Sequence, residues 1–264
     1  MAKIMAFANH KGGVCKTTIA TNIADALARE GLDVLLCDLD PQANATRLVY
    51  SFDEAPAVTM ERVLDGSASI AESIVDNSRI DNVHLIGATL KLAGLERQLQ
   101  HTPFSSTSLL ANKLDALSDA YDVIILDTPP SLGFLSANAL AASDLVFVPI
   151  ESGSKLSLLG TDDMLEFVTA ARSANPKLKF GGAILTKHDA RKKMCKITAK
   201  AVRGYYEEVL ETTMPPAEDL RKAQAAGQTM LQYNRDHTAS RELVSMAREI
   251  MTVAGLERKE RENG

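Results

Sequence analysis

The most informative segment of the sequence is Asn9-His10-Lys11-Gly12-Gly13-Val14-Cys15-Lys16-Thr17-Thr18. It directly follows a short apolar run, residues 4–8, and opens a helical pattern over residues 17–30. A glycine-rich turn between a strand and a helix points backbone N–H groups at phosphate oxygens, and the helix N-terminus adds partial positive charge. The segment therefore predicts a phosphate-binding loop, in which Lys16 reaches the β- and γ-phosphates and the Thr17 hydroxyl binds Mg²⁺. An ordinary glycine-containing turn beside a lysine is the weaker alternative, because position, spacing and helix all agree.

Short apolar runs alternate with longer helical patterns along the chain. The runs cover residues 4–8, 34–37, 83–86, 123–126, 145–150 and 182–185. The first helical pattern has Ile19, Ile23, Ala26 and Leu27 on one face and Gly31 as a stop signal. Strands that are apolar on both faces belong in a parallel sheet covered by helices. The prediction is an α/β fold, a doubly wound and mostly parallel sheet flanked by helices on both faces, of the P-loop NTPase type.

Length and composition favour one globular unit. The chain has 264 residues, of which 45% are hydrophobic and 24% charged, with no Trp. These values are ordinary for a globular protein and exclude collagen-like and low-complexity classes. No linker or internal repeat interrupts the pattern, so residues 1–264 are predicted to form a single domain. Residues 51–80 look like a helical insertion, and residues 256–264 look like a frayed tail.

Cysteine usage, charge and the N-terminus restrict the function classes further. Cys15, Cys37 and Cys195 are too few and too scattered for a disulfide framework or a paired-cysteine metal site. A net charge of −5 speaks against a uniformly basic nucleic-acid binder, although a local basic patch remains compatible with it. No signal-peptide run and no membrane-spanning run is present in the sequence. A cytoplasmic protein is therefore expected.

Two carboxylate motifs follow predicted strands. Asp38-Leu39-Asp40-Pro41-Gln42 follows the second strand, and Asp127-Thr128-Pro129-Pro130 follows the fourth. The carboxyl edge of an open α/β sheet faces the ligand crevice. We expect Asp127 to organise the Mg²⁺ shell, directly or through water, and the set to suit phosphoryl transfer. Alone, each motif could also be a solvent-facing turn.

The loop resembles the deviant Walker A loop of the ParA/MinD family of ATPases, on the residues Lys11-Gly12-Gly13 and Lys16-Thr17-Thr18. The resemblance implies ATP and Mg²⁺ as cofactors and an ATP-dependent homodimer, in which Lys11 reaches the partner subunit's nucleotide. It implies that Asp40 positions the attacking water and that Thr186 and Pro215 flank the adenine. The nucleotide-binding residues it implies also include Gly12, Gly13, Val14, Cys15, Lys16, Thr17 and Thr18. Catalysis is assigned to Lys11, Lys16 and Asp40, and Mg²⁺ to Thr17 and Asp127.

Cys15 and His10 depart from the family pattern. Glycine normally stands at position 15 in the family, and a β-carbon there is costly if the backbone needs a positive φ. Replacing Cys15 by Gly should raise ATP affinity or turnover. We interpret Cys15 as a small tolerated side chain in preference to a reactive thiol.

Residues 187–203 contain seven basic side chains and one acid, Asp189. If residues 191–210 are helical, positions 192, 196, 200 and 203 fall within roughly 80° of one another, while Met194, Ile197, Ala201 and Tyr205 face the sheet. Such a stripe suits the phosphate backbone of DNA and predicts sequence-independent, salt-sensitive binding. A solvated lysine face is the alternative. The candidate DNA-binding residues are Arg191, Lys192, Lys193, Lys196, Lys200, Arg203, Arg221 and Lys222.

The resemblance extends over nearly the whole chain and implies a ParA-type partitioning ATPase. Such a protein binds nonspecific nucleoid DNA as an ATP dimer, and a ParB-like or cargo-adaptor protein stimulates its hydrolysis. The cargo could be a plasmid, a chromosome or a protein assembly such as a carboxysome. An N-terminal operator-reading domain is not expected. The alternatives are a MinD-like membrane switch, which the poorly apolar C-terminus disfavours, and a metabolic relative such as an iron–sulfur reductase or a carboxylate ligase.

Overall fold

The computed structural model describes residues 1–50, 55–76, 79–100, 107–153, 161–216 and 218–259. The strands are β1 (Lys3–Phe7), β2 (Val34–Asp38), β3 (Ile74–Asp76), β4 (Val83–Ile86), β5 (Val123–Asp127), β6 (Leu145–Glu151) and β7 (Lys179–Thr186). The helices are α1 (Lys16–Arg29), α2 (Asn44–Val49), α3 (Met60–Leu64), α4 (Lys91–Gln100), α5 (Leu109–Leu114), α6 (Phe134–Ala142), α7 (Thr161–Ala174), α8 (Lys193–Tyr205), α9 (Glu218–Ala225), α10 (Met230–Tyr233) and α11 (Thr238–Ala254).

The strands form one sheet in the order β3-β4-β2-β5-β1-β6-β7. Every neighbouring pair is parallel except β3 with β4. In this register Asp127 lies beside Phe7 on one side and Asp38 on the other. The ends of β1, β2 and β5 therefore meet at one point of the carboxyl edge, where a doubly wound sheet places its ligand.

Two apolar cores cover the two faces of the sheet. One contains side chains of α1, α2, α9, α10 and α11, and the other contains side chains of α3 to α8. Aliphatic residues dominate both, and the stacked rings of Phe7 and Phe147, with centroids 5.6 Å apart, fill the first. The predicted doubly wound α/β fold is confirmed, and each of the six predicted strands is present.

Residues 51–80 differ from the predicted helical insertion. Their described part contains the short helix α3, a 3-10 turn at Ala71–Ser73 and the antiparallel strand β3, while residues 51–54 and 77–78 lie outside the described residues. The reason is that β4 leaves an open sheet edge, whose backbone groups need partners. Three residues of β3 supply them.

The tail also differs from its predicted frayed state as far as Lys259. The Lys259 backbone N–H donates to the carbonyl of Glu30 (3.1 Å), and the Lys259 ammonium lies 2.6 Å from Asp122. Arg258 pairs with Glu30 at 3.3 Å. These contacts hold residues 256–259 against the end of α1, and residues 260–264 lie outside the described part of the chain.

Candidate nucleotide site and basic helix

The loop between β1 and α1 is held by hydrogen bonds within the loop and to the end of β6. Asn9 donates through its side chain to the carbonyl of Pro149 (2.8 Å) and accepts from the Lys11 N–H (3.0 Å). Gly13 has φ +75°, a conformation that glycine adopts without a steric cost. Val14 is buried beneath the loop. The predicted loop residues therefore line a concave turn at the start of α1, as phosphate binding requires.

Cys15 is the second left-handed residue of this loop. Its φ of 71° and ψ of 27° lie in the region that L-residues with a β-carbon seldom occupy. The side chain is half-buried, and burial raises the pKa of the thiol, so the thiol form prevails. The backbone strain expected for a β-carbon at this position is thus part of the structure.

Lys16 is placed inside the loop. Its side chain is buried, and its ammonium donates to the carbonyl of Lys11 at 3.1 Å. Burial lowers the pKa of Lys16, while Asp127 and Asp40 are near enough to oppose that shift. The predicted catalytic lysine and both predicted carboxylates therefore share one site.

Asp127 is a fully buried carboxylate whose two oxygens have no hydrogen-bond partner among the described residues. Burial, followed by repulsion from Asp38, raises its pKa well above the usual value, and the nearby Thr17 hydroxyl and Lys16 oppose this. An unpaired buried carboxylate is costly, and a divalent cation is one group that can satisfy it. Asp127 and Thr17 therefore fit the predicted role in Mg²⁺ binding.

The described residues contain no group of three or more His, Cys, Asp or Glu side chains able to hold a metal ion. A Mg²⁺ ion here would need phosphate oxygens and water to complete its coordination, which is the usual way proteins bind this ion. The site fits a metal that arrives with a nucleotide.

Asp38 and Asp40 divide two tasks in the segment after β2. Asp38 is buried and accepts from the Thr46 N–H (2.8 Å), the Thr46 hydroxyl (2.7 Å) and the Asp40 N–H (3.0 Å). Burial raises the pKa of Asp38 to about 6. Asp40 instead lines the cavity beside Lys16. Asp38 therefore holds the segment in place, and Asp40 borders the cavity in which the predicted nucleotide would lie.

Two cavities meet at Cys15 and Thr18. The larger, of about 530 Å³, lies over Gly12, Gly13, Lys16 and Thr17 and reaches Asp40. The smaller, of about 260 Å³, is lined by Pro215, Lys187, Arg221 and others. Their size and position suit a triphosphate in the first and a base in the second.

The two predicted adenine residues have different positions. Pro215 lines the smaller cavity, whereas Thr186 is fully buried and its hydroxyl has no described partner. Sequence reasoning missed Gln224, whose side-chain amide donates to the Thr18 hydroxyl at 2.7 Å and which borders both cavities. Nothing in the local sequence marks Gln224, because α9 reaches the loop only through tertiary packing.

Lys11 and His10 are both half-buried and lie near Asp163 of α7. Burial lowers the pKa of both side chains, and Asp163 of α7 opposes this shift in each. The His10 Nδ1 atom is buried without a described hydrogen-bond partner. The two lysine side chains of the loop thus differ in burial, since Lys16 is buried and Lys11 is half-buried.

The predicted basic residues fall into three groups. Arg191 pairs with Asp189 (2.9 Å), Arg203 with Glu211 (3.3 Å) and Lys222 with Asp219 (2.9 Å). Arg221 opens onto the smaller cavity beside Cys15. The remaining four have no ion pair with any described residue and are exposed at the start and along one side of α8: Lys192, Lys193, Lys196 and Lys200.

The prediction of which face of α8 packs on the sheet is wrong. The buried residues are Cys195, Thr198, Ala199 and Val202. Ile197 and Tyr205 are 48% and 50% exposed, and Met194 and Ala201 are only half-buried. Small side chains let α8 approach closely, and the Thr198 hydroxyl is satisfied by the Met194 carbonyl (3.0 Å) and the Gly153 N–H (3.4 Å). The helix also begins at Lys193 and ends at Tyr205, within the predicted range.

Comparisons with known proteins agree with this geometry. Residues 2–180 match the family model described as an AAA domain. The chain is 32% identical over 254 residues to the chromosome partitioning protein ParA of Caulobacter vibrioides, covering 95% of this chain and 94% of that protein. The chain belongs to the ParA/MinD family of P-loop ATPases, in its partitioning branch.

Further relatives support the assignment to the ParA/MinD family. The sporulation initiation inhibitor protein Soj of Bacillus subtilis is 34% identical over 252 residues, covering 95% of this chain and 98% of Soj. A solved structure of cobyrinic acid a,c-diamide synthase from Mycobacterium smegmatis, with bound ATP analogue and magnesium, is 30% identical with a TM-score of 0.82, covering 94% of this chain and 93% of that one. The predicted family and P-loop fold are confirmed. No described helix of this family member has the length and apolarity to cross a membrane.

Proposed function

We propose that this protein is a partitioning ATPase that binds ATP with Mg²⁺, dimerises on it, holds nonspecific double-stranded DNA and is released when a partner stimulates hydrolysis. One observation carries the proposal. Lys16, Asp40 and the unpaired Asp127 carboxylate converge at the phosphate loop of a chain related over most of its length to ParA and Soj. Mg²⁺ would neutralise phosphate charge there, and Asp40 would orient water.

The dimer is supported by the division between the two lysines of the loop. Lys16 is buried within its own loop, whereas Lys11 is half-buried and lies near Asp163 of α7. Two ATP-bearing faces repel each other unless a cation from each side lies opposite the other's phosphates. We assign that role to Lys11.

DNA binding is supported by the four unpaired lysines of the α8 region. Cations that are not already neutralised by local carboxylates release the most counterions from DNA on binding. The same lysines could be a solvated face, and binding to DNA distinguishes the two. Nucleoid association and a ParB-like or other cargo-adaptor partner, for a plasmid, a chromosome or a carboxysome, belong to the same proposal.

The test is sedimentation of the protein with ADP and with a non-hydrolysable ATP analogue, together with Mg²⁺. We expect monomers with ADP and dimers with the analogue, and the Lys11→Gln variant should bind the analogue but remain monomeric. Lys177→Gln, an exposed lysine far from the loop, is the matched control and should dimerise. A monomer with the analogue, or a Lys11→Gln dimer of unchanged affinity, would refute the proposal.

A second candidate is an ATP-dependent amide-forming ligase, favoured by the relative named as a diamide synthase. ATP turnover distinguishes the two. A partitioning ATPase hydrolyses ATP in the absence of a carboxylic acid and an amine donor, and DNA with the partner increases the rate. A ligase would consume ATP only in proportion to the amide formed.

A further inference from the structure

A third cavity lies on the opposite end of α1 from the phosphate loop. It has a volume of about 460 Å³ and lies between the last turn of α1, the segment after α10 and the first half of α11. Since α1 has 14 residues, and a helix rises 1.5 Å per residue, its two ends are about 20 Å apart. The cavity is therefore separate from the nucleotide site.

Five arginines line this cavity, drawn from four separate parts of the chain: Arg29, Arg235, Arg241, Arg248 and Arg258. Glu30 is nearly buried and accepts from both Arg248 (2.8 Å) and Arg258 (3.3 Å), while Arg29 pairs with Asp25 at 2.6 Å.

Arg235 and Arg241 have no ion pair with any residue that the structure describes, and the Arg241 guanidinium reaches only the Thr238 hydroxyl at 3.4 Å. Asp236 is the other acid lining the cavity. Asp25, Glu30 and Asp236 therefore leave two positive charges uncompensated, in a chain whose net charge is −5.

We propose that this arginine cavity binds a small ligand carrying two or more phosphate groups, separately from ATP. Guanidinium groups bind phosphate through paired N–H bonds, and two uncompensated arginines match a ligand of at least two phosphates. The cavity volume lies within the range of small-molecule sites. Ala26, Leu231 and Val244 add apolar contact beneath the guanidinium groups. The proposal does not depend on ATP-dependent dimerisation or on DNA binding by α8.

The structure also explains which arginines can be removed without harming the fold. Deleting Arg248 or Arg258 would leave the nearly buried Glu30 less compensated, which destabilises a protein. Arg235 and Arg241 are exposed and hold no carboxylate among the described residues, so their removal should leave folding intact. They are the positions to test.

The test is calorimetric titration with inorganic tripolyphosphate in EDTA. We expect Arg235→Ala/Arg241→Ala to lose one binding site, or to bind at least about tenfold more weakly at it, since one charge-assisted hydrogen bond contributes about 1.5–3 kcal/mol. Arg172→Ala, an exposed arginine of α7 on the other face of the sheet, is the matched control and should bind like the unmodified protein. Tripolyphosphate that binds at the phosphate loop should bind there equally in all variants. A protein that does not bind ATP would therefore lack the phosphate-loop event and still show the event at the arginine cavity.

The remaining arms separate the alternatives. Arg235→Lys/Arg241→Lys keeps the charge but loses the paired donors, and should bind with intermediate affinity even if the alanine variant proves unstable. A short DNA duplex that loses affinity by the same factor would identify the nucleic-acid backbone as the phosphate source, and an unchanged duplex affinity would identify a free ligand. Equal tripolyphosphate binding by the double alanine variant and its control, or equal competition by a poly-glutamate peptide, would overturn the proposal.

Discussion

Cys15 carries a β-carbon at a backbone position where glycine has no steric cost. Its φ of 71° lies in the left-handed region, and a residue held there costs of the order of 1–3 kcal/mol. The hydrogen bonds of the loop and the start of α1 hold the backbone of Cys15 in this conformation despite its cost in free energy. The sequence could predict the problem, since glycine is usual at this position in the family, but only the structure provides the dihedral angle.

Replacing Cys15 by Gly should therefore stabilise the protein by about 1 kcal/mol and increase its ATP affinity or turnover, because the relaxed loop approaches phosphate more easily. Denaturant unfolding and ATP titration measure the two effects. Asn82→Gly is the matched control: Asn82 also has a positive φ, of 63°, but lies outside the loop. It should change stability alone. An unchanged ATP affinity and turnover in Cys15→Gly would show that the strain does not limit the site.

The buried Asp127 carboxylate lowers the stability of the folded protein when no ligand is bound. Burial and Asp38 raise its pKa, so the folded state binds the Asp127 proton more tightly than the unfolded state does. By linkage, the free energy of unfolding should rise as the pH falls through the raised pKa of Asp127, and the penalty should be largest in base. Asp38, with a pKa of about 6, acts in the same direction.

The Asp127→Asn variant should be more stable than the unmodified protein at pH 8, by about 1–3 kcal/mol, because it removes an unpaired buried charge. Its stability should also vary less between pH 8 and 6, and its Mg²⁺-dependent ATP hydrolysis should be lost. Denaturant unfolding at several pH values measures this, with the exposed Asp81→Asn as control. Parallel pH profiles for the two variants would contradict the assignment.

Helix α8 was predictable from the sequence in its extent and its lysine side but not in its packed face. The helix and its lysine side were predictable from spacing, because charge without acidic neighbours is visible in the sequence. The face of α8 that packs on the sheet was not predictable in this way. Hydrophobicity pointed to Ile197 and Tyr205, whereas Cys195 and Thr198 are buried because their small size fits the space beside Gly153. That space is created by the end of β6, which the sequence of α8 does not contain.

Truncation on the two faces of α8 tests this arrangement. Val202→Ala should destabilise the protein by about 2 kcal/mol, since Val202 is fully buried. Ile197→Ala, on the exposed side, should stay within about 0.5 kcal/mol of the unmodified protein. Denaturant unfolding compares the two. A larger loss for Ile197→Ala than for Val202→Ala would restore the face predicted from the sequence.

The lysine side of α8 carries its own prediction. Lys192→Glu/Lys196→Glu should abolish retention of nonspecific DNA while leaving ATP binding intact, because like charges then face the phosphates. The matched control is Lys177→Glu/Lys179→Glu, which reverses two exposed lysines at the amino end of β7. Filter retention over a series of salt concentrations measures the effect. If the variant and its control retain DNA equally at moderate salt, the lysines of α8 are a solvated face that does not bind DNA.

Across the sheet, most strands were predictable from the sequence, but one strand and the order of the strands were not. Continuous apolar runs indicate buried parallel strands, and they identified six of the seven described strands. The missing one, β3, has three residues, two half-buried and one exposed, so no apolar run marks it. The ion pairs of the tail with α1 and with the start of β5 join residues more than 130 positions apart. In the sequence, the residues that form them cannot be told from ordinary charged surface residues.

The tail should therefore contribute to stability. Arg258→Ala/Lys259→Ala removes the ion pairs to Glu30 and Asp122 and should lower the free energy of unfolding by about 1 kcal/mol, since partly exposed pairs contribute a few tenths to one each. The loss should shrink in high salt. Glu257→Ala, the exposed neighbouring residue, is the control and should have no effect. If the two variants are equally stable, the tail contacts α1 but does not stabilise the fold.

The position of Cys15 also has a practical consequence. Cys37 and Cys195 are buried, whereas Cys15 is partly open between the two cavities of the nucleotide site. The protein thus offers one addressable thiol for a fluorescent or spin label, attached where bound nucleotide would shield it. Labelling speed then becomes a direct gauge of occupancy, and a mildly alkaline buffer is needed because the thiolate is the reacting form.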